Sequence, residues 1–253
     1  MTDVVGRARV ALVSGGGRGI GRAISLGLAE DGCDVAVNYR RDSDAAAETV
    51  AMIEAMGRRA VAYAADVSVF EECEAMVVAV LGDFDAIDIL INNAGIASRG
   101  ANVVKTDPDE VLRLFNAHAY SSWALSKLVI PSMRTCSRGD IVMISSAATL
   151  HNAANSAPYN MAKAAQEALA LTLAKEEKRN GIHVNVVAPG LVDTDMGRRL
   201  VKGAMGVQDI RALDDKASFG HVCTPEEVAD AVRFVVSDHA SYITGQRIGV
   251  DGG

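Results

Sequence analysis

The sequence predicts an α/β fold in which one doubly wound, seven-stranded parallel sheet carries helices on both faces. Short apolar, β-branched runs alternate with longer amphipathic stretches, which is the βαβ rhythm of a parallel sheet buried on both sides. The rhythm runs through 253 residues without repeats or low-complexity tracts. This length suits one large domain with a well-buried core.

The predicted elements alternate regularly along the chain. Strands are predicted at 10–13, 34–39, 61–64, 87–91, 141–144, 183–187 and 248–250. Helices are predicted at 19–30, 44–56, 68–81, 108–133, 158–179 and 225–237. The strands are short and rich in β-branched residues, and the helical stretches are longer and amphipathic, so all of them fit a single sheet.

One stretch departs from this rhythm. Residues 191–223 follow Pro189 and Gly190, carry mixed charge and many small residues, and lack a clean helical stripe throughout. A segment of this kind between two regular units is typical of a lid or a variable binding loop. We therefore expect a substrate lid there, with a plain surface excursion as the alternative.

The composition argues against several classes of protein. The net charge is -7 and the lysines and arginines are scattered, so a nucleic-acid partner is not expected. The apolar stretches fall short of the ~18 residues that span a bilayer, and the opening residues 1–3 lead into no signal-like apolar block. We expect a soluble, cytoplasmic protein without a membrane partner.

Cysteine and histidine show no metal-ligand spacing. The five histidines follow no ligand pattern, and the four cysteines lie far apart without a CxxC pair. We expect reduced, mostly buried thiols and no catalytic metal. The cysteines are Cys33, Cys73, Cys136 and Cys223.

A glycine cluster lies between the first predicted strand and the first predicted helix. Gly15, Gly19 and Gly21 stand where backbone amides and a helix dipole can receive a pyrophosphate. Their spacing is Gly-x-x-x-Gly-x-Gly rather than the more familiar Gly-x-Gly-x-x-Gly. A tight strand-to-helix connection without a ligand is the alternative interpretation.

Tyr159 and Lys163 are four residues apart in a predicted helix and share one face, and Ser146 lies thirteen residues before the tyrosine. An ammonium beside a phenol favours its ionised form, so Tyr159 can exchange a proton near neutral pH. Ser146 lacks the Gly-x-Ser-x-Gly elbow of hydrolases, and a covalent mechanism is therefore not expected.

Together these motifs resemble the short-chain dehydrogenase/reductase family, in order and over essentially the whole chain. The resemblance implies a single Rossmann domain over residues 1–253, usually a homotetramer, that binds NAD or NADP and moves a hydride between nicotinamide and a carbonyl or alcohol carbon. The residues that carry it are the glycine cluster at 14–21, Asp66-Val67, Asn92-Asn93-Ala94-Gly95, Ser146, Tyr159 with Lys163, Pro189-Gly190, and the ending Tyr242-Ile243-Thr244-Gly245-Gln246 with Asp251-Gly252-Gly253.

The resemblance assigns a catalytic tetrad of Asn116, Ser146, Tyr159 and Lys163. Ser146 would orient the carbonyl and Tyr159 would deliver the proton. Lys163 would lower the phenol pKa and hold the ribose hydroxyls, while Asn116 would support a water between Lys163 and solvent.

Four neighbours of the tetrad remain open to interpretation. Ser145 is the rival for the serine role, but the thirteen-residue interval selects Ser146, and Ser145 is expected to bond to backbone. His118 is unusual for the family and is expected to be a packed or surface histidine. His151 and Asn152 lie between the serine and the tyrosine, where they could contact the substrate or have no contact with it.

The family pattern also implies which residues contact the dinucleotide. Asp66 could equally cap the following helix, and the Asn-Asn-Ala-Gly stretch could be only a turn. The expected cofactor-binding residues are Gly15, Gly17, Arg18, Gly19, Ile20, Gly21, Asn38, Tyr39, Arg40, Asp66, Val67, Asn93, Ala94, Gly95, Tyr159, Lys163, Pro189, Gly190, Val192 and Thr194.

NADP(H) is favoured over NAD(H), which stays possible. NAD enzymes place a carboxylate after the second strand, where it repels a 2'-phosphate. Here Arg40 follows that strand, and Arg18 lies in the glycine cluster, so the two can clamp the phosphate. Solvated surface arginines are the alternative, and Asp42 or Asp44 could blur the preference.

The closest family resemblance is to 3-oxoacyl-[acyl-carrier-protein] reductases, which implies a thioester substrate on the carrier protein or on CoA. Ser137 and Asn180 stand where those enzymes place basic docking residues, with Arg138 and Arg179 one residue away. A sugar, steroid or xenobiotic alcohol or ketone is the alternative substrate. A non-catalytic dinucleotide sensor is a remote alternative, against which the intact tetrad argues.

Overall fold

The structure is a computed structural model that describes residue 1 and residues 6–253. Residues 2–5 lie outside the described residues, and they include part of the stretch in which no signal peptide was expected. The strands are β1 (Val10–Val13), β2 (Asp34–Tyr39), β3 (Ala60–Ala64), β4 (Ile89–Asn92), β5 (Gly139–Ile144), β6 (Ile182–Pro189) and β7 (Arg247–Val250). The α-helices are α1 (Gly19–Glu30), α2 (Ser43–Ala55), α3 (Phe70–Phe84), α4 (Pro108–Phe115), α5 (Ser121–Met133), α6 (Ala148–His151), α7 (Ala157–Glu177), α8 (Asp195–Met205) and α9 (Pro225–Val236).

The described chain forms one sheet of seven parallel strands in the order β3-β2-β1-β4-β5-β6-β7, which confirms the predicted fold class. The strand order reverses at β1, where Leu12 pairs with Ala36 of β2 on one side and Leu90 of β4 on the other. At such a reversal the connections leave toward opposite faces and open a crevice at the carboxyl ends of the strands.

Helices cover both faces of the sheet. On one face α1, α2 and α9 enclose a core that includes Ile24 and Val232. On the other face α3, α5 and α7 enclose a core that includes Met76, Leu125 and Leu173. Each fully buried aliphatic side chain contributes about 1.5–3 kcal/mol, so these two layers hold the strand ends in fixed positions.

The predicted helix 108–133 is divided by a π-helical turn over Asn116–Tyr120. A π turn adds one residue to the helical register and often occurs at functional sites. Leu114, His118, Ser122 and Leu125 form one buried stripe across it, whereas Asn116 is exposed on another face. The turn therefore decides which side chain faces the sheet.

Residues 191–223, which we call the lid segment, leave the sheet and return to nearly the same point. Val192 and Cys223 pair in an isolated β-bridge, and α8 lies between them. The expectation that this stretch lacks a clean helical stripe is wrong for α8, because its buried Val201 packs with Ile210 and Val222 in a small separate core. The lid segment is thus a folded unit closed at its base.

Some sequence expectations concern absences. Among the described residues, no helix is long and apolar enough to cross a membrane. The same residues contain no group of three or more His, Cys, Asp or Glu that could hold a metal ion. All four cysteines are free thiols, two buried and two partly exposed.

Candidate active site

A large cleft of about 1520 Å3 runs along the carboxyl edge of the sheet, from the turns after β1 and β2 to the lid segment. Small-ligand pockets usually measure ~300–1,000 Å3, so the cleft has room for an extended dinucleotide and a substrate. Every predicted cofactor residue lines it: Gly15, Gly17, Arg18, Gly19, Ile20, Gly21, Asn38, Tyr39, Arg40, Asp66, Val67, Asn93, Ala94, Gly95, Tyr159, Lys163, Pro189, Gly190, Val192 and Thr194.

The turn after β1 is closed around glycines. Gly15 has a φ of +63°, a conformation that glycine adopts without strain. A Cβ on Gly21 would lie 2.1 Å from the carbonyl oxygen of Gly15, so any larger residue would break the turn. Asn93 Nδ2 donates to the carbonyl oxygens of Ser14 and Gly15 at 2.9 and 3.2 Å and ties the turn to the end of β4.

The first turn of α1 fits an anion. Its N-cap residue, Arg18, has extended backbone, and no side-chain hydrogen bond caps this helix among the described residues. The N–H groups at a helix start lack internal partners and carry the positive end of the helix dipole. The residues present therefore suit the pyrophosphate that the glycine spacing predicts.

The two arginines of the predicted clamp, Arg18 and Arg40, stand at the end of the cleft beyond β2, which Arg41 also lines. Arg40 Nη1 lies 3.4 Å from a carboxylate oxygen of Asp66, and Arg18 Nη1 lies 3.7 Å from Asp42. The Arg18 and Arg40 side chains are 62% and 47% exposed. Such exposed, loosely paired guanidinium groups contribute little to stability and can take a further anionic partner.

Two predicted cofactor contacts also brace the cleft wall. Asn38 accepts from the amide of Gly15 and donates to the carbonyl of Ala65, both at 3.1 Å. Asp66 accepts from the amide and the hydroxyl of Ser68 at 3.0 and 2.6 Å, which closes the turn before α3, but it does not cap that helix, whose N-cap residue is Val69. Both side chains line the cleft as well.

The predicted serine and tyrosine meet at the middle of the cleft. Ser146 follows β5 and Tyr159 lies in the first turn of α7, and both line the cleft; the Ser146 hydroxyl is close enough to the phenol to act on its pKa. Ser146 Oγ also accepts from the amide of Ala148 at 3.1 Å. Ser145 does not bond to backbone through its hydroxyl as expected, but donates to Glu167 at 2.6 Å.

The environment of Tyr159 keeps its phenol protonated. Burial raises the pKa of Tyr159 above its ordinary value, and the hydrogen bond with Ser146 acts in the opposite direction. Lys163 Nζ lies 6.0 Å from the centroid of the phenol ring. Lys163 is not among the groups that shift the pKa of Tyr159 here, so the expectation that a charged Lys163 lowers this pKa stays a prediction.

Lys163 is itself deeply buried, with 4% of its surface exposed. Its Nζ donates to the carbonyl of Ile144 at 2.6 Å and to Gln166 Oε1 at 3.1 Å. Burial lowers the pKa of Lys163 to about 7, and the nearby Glu167 carboxylate opposes that shift. Near neutral pH the amine is therefore partly charged and partly neutral.

The structure does not bring the fourth predicted catalytic residue to the cleft. Asn116 is exposed and is not among the residues that line the cleft in the described chain. His118, two positions later, is 2% exposed and lines the cleft. Its ring lies edge to face on Tyr159, and its Nε2 is 2.9 Å from the carbonyl oxygen of Ile96. Two positions turn a helix by roughly 200°, so the residue at 118 faces inward and the residue at 116 faces outward.

The periodicity of the chain contains the signal for His118. Leu114, His118 and Ser122 recur every four residues and are all buried, a pattern typical of the inner face of a helix. Asn116 falls outside that pattern. Burial lowers the pKa of His118 well below its ordinary value, and the charge of Lys163 acts in the same direction, so the ring is neutral near pH 7.

The lid segment and the turn after β5 form the outer wall of the cleft. His151, at the end of α6, lines this wall and is exposed, whereas Asn152 is not one of the lining residues. The lid segment contributes Leu191, Met196 and Leu200. This end of the cleft therefore combines apolar side chains with charged ones from the same segment, among them Asp195 and Arg199.

An ion pair that the sequence reasoning missed holds the serine in place. Arg247 Nε lies 3.2 Å from Glu167, and Arg247 Nη2 donates to the carbonyl of Ser146 and the hydroxyl of Thr149, both at 3.2 Å. Arg247 lies on β7, far from Ser146 in sequence, so no local pattern indicates this contact. The pair joins β7 and α7 behind the hydroxyl pair.

The fold and this cleft define a class of protein. A model of the Enoyl-(Acyl carrier protein) reductase family matches residues 15–253. The chain belongs to the short-chain dehydrogenase/reductase family of oxidoreductases.

Individual relatives span nearly the whole chain. The 3-oxoacyl-[acyl-carrier-protein] reductase of Synechocystis sp. is 37% identical over 97% of this chain and 96% of that protein. The acetoacetyl-CoA reductase of Shinella zoogloeoides is 36% identical over 97% of this chain and 98% of that protein. A crystal structure of a short chain dehydrogenase from Burkholderia cenocepacia in complex with NADP matches with a TM-score of 0.87 and 34% identity, over 97% of both chains.

Proposed function

We propose that this chain is an NADP(H)-dependent reductase of 3-oxoacyl thioesters. The observation that carries the proposal is that the Ser146 and Tyr159 side chains come together in a cleft large enough for a dinucleotide. Reduction of a carbonyl needs a proton donor and a second hydrogen-bonding group at the oxygen that gains charge. The hydroxyl pair supplies both.

The chain's own residues handle the proton. Ser146 and Tyr159 hydrogen-bond to the substrate carbonyl oxygen, and Tyr159 donates its proton as negative charge develops there. A nicotinamide held in the cleft would supply the hydride to the carbonyl carbon. Because the pKa of Tyr159 is raised, the phenol remains protonated at neutral pH until it transfers its proton to the substrate oxygen. The charged fraction of Lys163 then stabilises the phenolate.

The preference for NADP(H) rests on the arginines beyond β2. Arg40 occupies the position where an NAD-specific enzyme needs a carboxylate, and Arg18 reaches the same end of the cleft. The NADP complex of the Burkholderia cenocepacia relative supports this choice. Asp42 and Asp66 each pair with one of the arginines, but the contacts are long, at 3.7 and 3.4 Å, and the exposed guanidinium groups have donors left for a phosphate.

The thioester substrate rests on two observations. The relatives from Synechocystis sp. and Shinella zoogloeoides, which align over nearly their full length, are named for a 3-oxoacyl-[acyl-carrier-protein] and for acetoacetyl-CoA. The apolar wall formed by Leu191, Met196 and Leu200 suits an acyl chain. A thioester of CoA or of the acyl carrier protein would present that chain to the hydroxyl pair.

Docking of an acidic carrier protein has a weaker basis. Arg138 is committed to Asp140 through two hydrogen bonds of 2.9 Å, and its side chain is 15% exposed. It therefore does not replace the missing basic residue at Ser137. Arg179 is exposed and remains the basic residue on that surface that a carrier protein could reach.

The test is NADPH consumption with acetoacetyl-CoA, run beside NADH and beside Tyr159→Phe. We expect Tyr159→Phe to lose about 10²–10⁴-fold in kcat, the usual contribution of a general acid, and to bind NADPH as before. Tyr120→Phe is the matched control, because Tyr120 packs on Trp123 outside the cleft lining. Full activity in Tyr159→Phe, or no turnover of any 3-oxoacyl thioester by the parent protein, would overturn the proposal.

The family expectation of a homotetramer is part of the proposal. Apolar side chains stand exposed on the outer sides of α4 and α7, among them Leu112, Phe115, Met161 and Leu171. Exposed apolar groups clustered on neighbouring helices are typical of interfaces between subunits. Multi-angle light scattering should give a mass near four chains, and a monomer at micromolar concentration would contradict this.

A further inference from the structure

Lys163 is the start of a buried chain of hydrogen bonds that no motif of the family indicates. Lys163 Nζ donates to Gln166 Oε1 at 3.1 Å, and Gln166 Nε2 donates to Ser122 Oγ at 2.8 Å. Ser122 Oγ then donates to the main-chain carbonyl of His118 at 2.7 Å. The chain connects α7 with the π turn on the neighbouring helix.

Every link in this chain is buried and directed. Gln166 is 0% exposed and Ser122 is 1% exposed. A protonated lysine can only donate, so the amide oxygen of Gln166 must face it and the amide nitrogen must face Ser122. The hydroxyl hydrogen of Ser122 is then left for the carbonyl of His118. A single orientation of the Gln166 amide satisfies the Lys163, Gln166 and Ser122 side chains together. A buried polar network satisfied in this way is rigid and does not destabilise the fold.

We propose that Gln166 is a positioning residue that holds the Lys163 amine, with Ser122 as its anchor on the π turn. This inference rests on the proposed function in so far as Lys163 serves Tyr159. Because an amide neither gains nor loses a proton near neutral pH, Gln166 holds the amine without passing its proton on.

The geometry explains why an apolar residue would serve less well at 166. Lys163 has three N–H groups when charged, and the carbonyl of Ile144 accepts only one of them. Gln166 lies one helical turn away on the same buried face and accepts a second. The third is then free for the cleft. Without Gln166 a buried donor would lack a partner, which favours the neutral amine.

Few charged or titratable groups face Lys163. Glu167 and Tyr159 lie on its own helix, and His118 lies on the π turn. Arg113 on α4 acts on His118. The packed strand β5 contributes the main-chain carbonyl of Ile144. A charge placed at 166 would therefore act on the lysine almost directly.

The test follows the titration of Lys163 by NMR of protein labelled at the lysine ε-carbon, with no cofactor or substrate present. Its signal is assigned by its absence in Lys163→Met. We expect Gln166→Glu to raise the midpoint of Lys163 by about one unit or more, because it places a carboxylate within hydrogen-bond distance. We expect Gln166→Leu to lower the titration midpoint of Lys163 and to reduce kcat. The pH at which kcat changes in a plot of kcat against pH should move in the same direction.

Two further variants keep the test decisive. Ser122→Ala removes only the anchor and should shift Lys163 in the same direction as Gln166→Leu, even if the latter folds poorly. Thr172→Ala, which removes an exposed hydroxyl bonded within α7, should leave the titration unchanged. If Lys163 titrates as in the parent protein in both Gln166→Glu and Ser122→Ala, Gln166 does not position it. Failure to reduce thioesters would overturn the proposed function alone, since the titration needs no turnover.

Discussion

The imidazole of His118 lies edge to face against the phenol ring of Tyr159, with ring centroids 5.3 Å apart and planes at 86°. The same imidazole bonds to the carbonyl of Ile96, in the turn after β4. A Cβ on Gly95 would lie 2.5 Å from the ring, so this turn accommodates the imidazole only because residue 95 is glycine. His118 thus joins Tyr159 to the turn that lines the cofactor side of the cleft.

Replacement of His118 should therefore impair catalysis where replacement of Asn116 does not. We expect His118→Ala to lower kcat by up to roughly 30-fold, since the hydrogen bond and the edge-to-face contact each contribute about 1 kcal/mol and a factor of ten corresponds to about 1.4 kcal/mol. His118→Asn should recover part of the loss, because an amide can still donate to Ile96. Steady-state kinetics with NADPH would measure both, and an Asn116→Ala variant as impaired as His118→Ala would contradict the assignment.

The arginines beyond β2 should discriminate between the two dinucleotides. We expect Arg18→Ala with Arg40→Ala to raise the KM for NADPH by roughly 10–100-fold and the KM for NADH far less, because charge-assisted hydrogen bonds to the 2'-phosphate contribute about 1.5–3 kcal/mol. Lys175→Ala with Lys178→Ala removes two exposed charges at the far end of α7 and is the control. Equal effects on both cofactors would exclude the clamp.

Asp193 should hold the lid segment in its folded position. Its side chain is 6% exposed and lies 2.8 Å from Arg198 on α8 and 2.9 Å from Arg211 further along the lid segment. We expect Asp193→Asn to loosen the segment, to speed its cleavage by limited proteolysis and to raise the KM for substrate. Asp215→Asn, at an exposed position of the same segment, should change neither. Unaltered proteolysis of Asp193→Asn would show that the ion pairs are dispensable.

The cysteines should react slowly with alkylating agents in the folded protein. Burial raises the pKa of Cys33, Cys136 and Cys223 to about 11 and that of Cys73 to about 12. Only the thiolate is nucleophilic, so at pH 8 about 0.1% of each of the first three groups and about 0.01% of Cys73 is reactive. Iodoacetamide followed by mass spectrometry should label all four quickly in denaturant. Rapid labelling of one cysteine without denaturant would indicate a thiolate that this environment does not explain.

Much of the fold and the cofactor cleft could be predicted because their determinants are local. Strand and helix periods depend on neighbouring residues, and the seven predicted strands all occur in the described sheet. Gly15 and Gly21 are required by backbone geometry within a single turn. The carboxyl ends of parallel strands then bring these turns to one edge, which is why every predicted cofactor residue lines the cleft.

The errors occurred where a single residue of helical register decides the outcome. The family pattern selected Asn116, but the π turn rotates the helix so that His118 faces Tyr159. The mixed composition of the lid segment concealed α8, whose amphipathic stripe packs on residues of the segment's own small core. In both cases the apolar periodicity was present in the sequence, but only the packing of the neighbouring element showed which face of the helix is buried.

The sequence alone determined the α/β class, the positions of the seven strands and the residues of the glycine turn. Each of these follows from propensity, periodicity or backbone freedom over a few residues. Only the tertiary structure decided which polar residues serve Tyr159 and Lys163. Gln166 and Ser122 are ordinary polar residues in helices until packing removes water from both. Once water is excluded, each donor and acceptor must find a partner in the protein, and that requirement joins residues far apart in sequence.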